Sequence, residues 1–261
     1  MSIDKQHQLY AGSRYEEPTL EPTLEPILYN RYTIDRLIAR TANEIPCFTP
    51  EVLNGLDALD EIGAFARSSR ATIRNVVGVI GVFDGIKPAT IVDRELVALC
   101  REGEFSELIK SLELEIIDFD DVGTGIHRAA ISRHRNLAEE LSRVFQHTGS
   151  DNPEYEYPIG ALLGYPVTAT DYYLQRNQKL KEILKKIEEQ SENALSADER
   201  ALVSEENYPP VNHGRNPMYV QFILSPENWQ TEVACSDRIE EAVRVLTPKT
   251  HERISKLDSV K

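Results

Sequence analysis

The stretch NVVGVIGVFDGIKPATIVD, residues 75–93, carries the densest local signal in the chain. Two runs rich in β-branched residues flank Asp84-Gly85, a dipeptide that supplies the positive φ values of a tight turn, so the stretch reads as a β-hairpin. Pro88 cannot donate to a ladder, which places the returning strand at an edge or a bulge. Gly78 and Gly81 stand three apart in the first run. In a strand they permit close approach of a backbone or ligand, and packing against a helix accounts for them equally well.

Upstream of this stretch, Ile34, Leu37, Ile38, Ala42 and Ile45 keep helical spacing. Thr49 with Pro50 then marks the start of a second helix, whose stripe runs through Val52, Leu53, Leu56, Leu59, Ile62 and Ala66. Residues 17–28 read EPTL, EPTL, EPIL, with Pro18, Pro22 and Pro26 in one phase. These prolines block helix and sheet, so residues 1–30 are expected as an extended leader, either solvated or docked through Leu20, Leu24 and Leu28 on a partner or on the body of the fold.

Downstream, residues 94–111 read as two short helices interrupted at Gly103, and LELEIIDF over 112–119 alternates as a strand. After Gly123 and Gly125 a helix is expected from Ile126 to Gln146. The polar run HTGSDNPEYEYP then separates an α+β part, residues 31–148, from a mainly helical part, residues 149–261. In the latter, Pro158 to Leu163 forms a short helix ended by Gly164, and Thr168 to Asp171 starts a helix running to about Gln190. Ser196 to Glu199 caps another, MYVQFILS over 218–225 reads as a strand, and Ser225-Pro226-Glu227 and Thr247-Pro248 open two terminal helices. Strands do not alternate regularly with crossover helices. The fold class is therefore α+β, a hairpin and further strands packed with helices, with a mostly helical C-terminal half.

The composition sets outer limits. Over 261 residues, 43 Asp and Glu stand against 29 Lys and Arg, a formal charge of −14. This length buries a core without staples, and the acid excess opposes extended nucleic-acid contact. Cys47, Cys100 and Cys235 form no CxxC pattern. They fit a reducing cytoplasm, with Cys47 and Cys100 as small buried hydrophobes. Cys235, near an expected helix start among acidic neighbours, is a poor thiolate. No apolar run approaches the roughly 20 residues of a bilayer crossing, and the N-terminus lacks a secretory h-region, so no membrane contact is expected.

Candidate chemistry gathers between residues 118 and 135. Asp118 and Asp120 close the expected strand, Asp121 follows, and His127 and His134, two helical turns apart, face one side of the expected helix. Carboxylate oxygens beside imidazole nitrogens suit a divalent metal or acid-base chemistry, with Asp118, Asp120, His127 and His134 as candidates. The alternative has the aspartates stabilising a helix N-terminus and the histidines bonded at the core edge. Arg128 and Arg135, on the same expected helix, form a positive strip for an anionic or phosphorylated ligand, or a solvated face paired to Glu139 and Glu140. The loop YPPVNHGRNP, residues 208–217, adds His213 and Arg215 as candidate ligand-binding groups or as a stiffened connection.

IGALLGYPVTATDYYL, residues 159–174, resembles the LGYP segment of uncharacterised prokaryotic, chiefly archaeal, domains of the DUF483 type, and DGIKPA at 84–89 belongs to the same resemblance. In those domains cysteines follow the proline. Here Val167, Thr168, Ala169 and Thr170 stand there, which removes any thiol or metal role at that spot. The resemblance implies a family without an assigned reaction, so it brings no catalytic residue.

The expected function is a ligand- or partner-binding module, the partner being a small molecule or a protein. The alternative is a metal-dependent, hydrolase-like enzyme acting on a small phosphorylated or anionic compound through the Asp118 to His134 cluster. An interaction protein using the EPTL arm is a third.

Overall fold

A computed structural model describes residues 46–65, 67–93, 96, 104–121, 125–146, 156–190, 195–203 and 215–258. The first arm of the expected hairpin is a helix. Thr49 caps α1, Pro50–Ala64, by accepting a hydrogen bond from the Val52 amide, and Ser69 caps α2, Arg70–Phe83, by accepting from the Thr72 amide at 3.0 Å. Ile73, Val76, Val77 and Ile80 of α2 recur at helical spacing, and every residue from Asn75 to Phe83 is buried. A helix enclosed on all sides draws its stability from packing, which overrides the modest helical propensity of valine and isoleucine.

Asp84-Gly85 is not a hairpin turn. Of the two, only Gly85 has a positive φ, 72°, whereas the expected turn needs two such residues. The Gly85 amide donates to Val82 O at 3.0 Å and the Ile86 amide to Gly81 O at 2.9 Å. This paired pattern is the Schellman ending of a helix. The second arm does form a strand, β1, Ala89–Asp93, at the sheet edge that Pro88 implied.

The remaining described elements are α3 (Glu104–Ser111), β2 (Glu115–Asp120), β3 (His127–Ser132), α4 (Arg135–Gln146), α5 (Glu156–Leu162), α6 (Val167–Gln190), α7 (Ala197–Val203), α8 (Trp229–Leu246) and α9 (Pro248–Asp258). The expected helix from Ile126 thus starts only at Arg135, because residues 127–132 are the central strand of an antiparallel sheet ordered β1-β3-β2. The true hairpin is β2–β3, with Asp120 opposite His127. MYVQFILS contains no described strand. Its residues form a turn and an irregular segment, with Met218, Tyr219, Val220 and Leu224 buried. The helix expected at Ser225 begins at Trp229.

The sheet is covered on both faces. Val92, Ala129 and Ile131 join the core built by α1, α2, α8 and α9. Ala89, Ala130 and Phe119 face α4 and α5. The larger core runs from Val52 to Ile254 and so draws on residues from both sides of residue 149. The architecture is α+β with a mostly helical C-terminal half. Among the described residues no helix is long and apolar enough to cross a membrane. The EPTL arm, the helix expected over 32–45, Cys100 and His213 lie outside the described residues. Cys47 is exposed rather than buried.

Candidate functional site

The strand pairing brings three of the four candidate metal ligands together. His127 Nδ1 lies 3.1 Å from Asp120 Oδ1, and its Nε2 lies 3.6 Å from Asp118 Oδ1. Asp118 and Asp120 share a strand face because they are two apart, and antiparallel register sets His127 across from Asp120. His134 does not join them. It lies in the turn after β3, at the opposite end of that strand from His127, on the order of 17 Å along it. Expected helical spacing had placed the two histidines on one face; a strand separates them. Among the described residues no three His, Cys, Asp or Glu side chains are arranged to hold a metal ion.

The arginine strip is also divided. Arg128 sits in β3, its guanidinium 3.2 Å from Asp93 Oδ1 and 3.4 Å from Asp121 Oδ2, and 5.0 Å from the centre of the Phe145 ring. Arg135 opens α4 and donates from Nε to Glu139 Oε1 at 2.8 Å. Arg215 pairs with Asp237 at 3.0 Å. Arg135 and Arg215 are therefore surface ion pairs, of the kind that contributes little.

A different group converges at the β1 edge. A cavity of about 300 Å³ lies between α2, β1 and the turn joining α5 to α6, with Arg74, Asn75, Lys87, Arg128, Tyr165 and Gln221 among its walls. Lys87 enters it because the Schellman ending of α2 turns the chain there, and the Lys87 amide itself donates to Gly81 O at 2.9 Å. Gly81 gives the side chain room: a Cβ at that position would stand 2.9 Å from Lys87 Cδ. Gly78 likewise faces Thr90 of β1. Both glycines thus lie on a helix, Gly78 against a strand and Gly81 against the Lys87 stem, where a strand was expected.

A second Schellman ending supplies the opposite wall. At the end of α5, Gly164 has φ 72°, its amide donates to Ala161 O at 3.0 Å and the Tyr165 amide to Gly160 O at 2.8 Å. A Cβ on Gly164 would lie 3.0 Å from Pro88 Cδ and 3.2 Å from Lys87 Cα. LGYP and DGIKP are therefore two helix endings packed against one another.

The electrostatics of this cavity are unusual. Lys87 is only 4% exposed, and Nζ donates to the neutral Oε1 of Gln221 at 2.6 Å. It stands 5.8 Å from the centre of the Tyr165 ring. Burial, reinforced by Arg74 and opposed by Cys235, brings its ammonium down to about 8. Burial raises the Tyr165 phenol to about 12, with Tyr173 adding to the rise and Arg74 opposing it. Burial also pushes the Cys235 thiol up, against the pull of Lys87 and Arg238; Cys235 lies inside α8, not at its start. Asn75 Nδ2 is buried with no hydrogen-bond partner among the described residues. Asp93, also in the wall, is paired with Arg128, whereas the Lys87 ammonium has no carboxylate partner among the described residues, which is a setting for an anion.

Of the candidate site residues read from sequence, only Arg128 lines this cavity. The missed signal is a lone lysine inside the apolar run from Ile86 to Val92. No family model, no curated protein and no solved structure matches the chain.

Proposed function

We propose that this chain binds a small organic anion in the cavity around Lys87. The supporting observation is the buried Lys87 ammonium, which has an amide oxygen but no carboxylate as partner among the described residues. Burying a charge without a counter-charge is costly, and such sites recur where a ligand supplies it. Arg74 at the mouth and the unpartnered Asn75 amide add donors to the same space. Ile91, Phe145 and Leu163 provide an apolar wall for the body of the ligand. The packing of LGYP on DGIKP supports taking the two segments of the DUF483 resemblance as one functional unit. A cytosolic setting belongs to the same proposal, supported by unpaired Cys47 and Cys235.

A thermal-shift series with acetate, lactate, pyruvate and inorganic phosphate tests this, because a native-state ligand raises the melting temperature by mass action. We expect at least one anion to stabilise the protein, with the effect lost in Lys87→Met and reduced in Arg74→Ala. A flat response to all four contradicts the proposal.

A metal-dependent enzyme is the second possibility, favoured by the meeting of Asp118, Asp120 and His127. It ranks second because, among the described residues, these side chains are not arranged to hold a metal ion and stand in the open, Asp120 at 81% exposure. Calorimetric titration with Zn²⁺ and Mn²⁺ decides it: binding lost in His127→Ala supports it, and no heat of binding removes it.

A further inference from the structure

Holding an anion needs positive charge, and a guanidinium would suffice; a lysine offers something more. A guanidinium keeps its proton at all physiological pH values, whereas an ammonium withdrawn from water releases it. Lys87 is withdrawn in this way, and Arg74 lies close enough to weaken its hold on the proton further. The amine is also oriented. Gln221 Nε2 donates to Arg74 O at 3.2 Å, which turns the amide so that Oε1 receives the Lys87 N–H at 2.6 Å. One N–H is thereby fixed, and Nζ has no other hydrogen-bond partner among the described residues. Arg74 and Asn75 line the same small space.

We propose that Lys87 forms an imine with a small oxo acid whose carboxylate is held by Arg74 and Asn75, an inference that rests on the anion-binding proposal above. The neutral Nζ attacks the carbonyl carbon, and the π electron pair moves onto oxygen. A proton passes from nitrogen to that oxygen to give a neutral carbinolamine. The hydroxyl then takes a proton from solvent and leaves as water while the nitrogen lone pair closes the C=N bond, giving the iminium, which returns its N–H proton to solvent to become the imine. Amine and carbonyl become imine and water, and nothing is oxidised or reduced.

The test uses the full chain with pyruvate and sodium cyanoborohydride near neutral pH, read by peptide mass mapping, with a parallel thermal shift using lactate, which has the carboxylate but no carbonyl. A lysine at its ordinary value has roughly a hundredfold less neutral amine than one near 8. The reduced adduct should therefore build up on the Lys87 peptide at least about tenfold faster than on Lys185 or Lys256. Lys87→Arg should keep a lactate shift and lose that adduct. A lactate shift with no Lys87 adduct overturns the imine and leaves anion binding standing. An adduct spread evenly over all lysines also overturns it, and the absence of both shift and adduct removes both proposals.

Discussion

Lys87 concentrates the cost of the site in one residue. Folding lowers its value from 10.5 to about 8, so between those two pH values the unfolded chain holds more protons than the native one, and native stability rises with pH across that window. Below about 8 both states are protonated and the full burial penalty is present. Lys87→Met should therefore stabilise the protein near pH 7 by on the order of 1–3 kcal/mol, less the lost bond to Gln221. That advantage should shrink as pH rises from about 8 towards 10.5. Urea denaturation of both proteins across this range checks it. A substitution that raises stability while abolishing the anion response is what a functional, rather than structural, lysine produces.

At the scale of elements, two glycine-terminated helices shape the cavity, and the fit around Gly81 is specific. In Gly81→Ala the new methyl would meet the Lys87 stem at 2.9 Å. Alanine favours a helix interior by about 0.5–1 kcal/mol over glycine, but displacing the buried Lys87 stem costs about 1–3 kcal/mol, so stability should fall by on the order of 1 kcal/mol. The anion-dependent melting shift should fall, and an unchanged shift would show that the Lys87 stem tolerates displacement. Local signals identified several elements: the Thr49-Pro50 start of α1, the Gly164 end of α5, and the Ser196–Glu199 box of α7, where the Glu199 amide donates to Ser196 Oγ and the Ser196 amide to Glu199 Oε2. Each of these depends on contacts within five residues. The β-branched run of α2 and the strand at 127–132 were misread because burial and non-local pairing decided them. A short apolar run fits either period, and it is the partners, distant in sequence, that choose. The same non-locality hid the cavity. Arg74, Lys87, Tyr165 and Gln221 come from four separate segments, so no spacing motif joins them, whereas Asp118, Asp120 and His127 were legible because one hairpin carries all three.

Across the whole molecule, the terminal helix is tied back to the first. Asp60 of α1 accepts hydrogen bonds from the Thr250 amide at 2.7 Å, from Thr250 Oγ1 at 2.8 Å and from the Lys249 amide at 3.1 Å, acting as a distant cap for α9. Removing it strands buried donors, and Asp60→Ala should cost about 2–3 kcal/mol. With core residues from Val52 to Ile254 in one cluster, that loss should lower a single calorimetric transition; two separable transitions would show that the two parts fold independently. The net charge of −14 describes the surface average and not the cavity, where cationic donors face inward. The most direct test of this arrangement is NMR titration of lysine side-chain ¹⁵N or ε-¹³C signals, with and without lactate. One lysine, lost in Lys87→Arg, should titrate near 8 and move upward when lactate supplies the missing negative charge. If every lysine titrates near its ordinary value and none responds to the anion, the account of Lys87 is wrong.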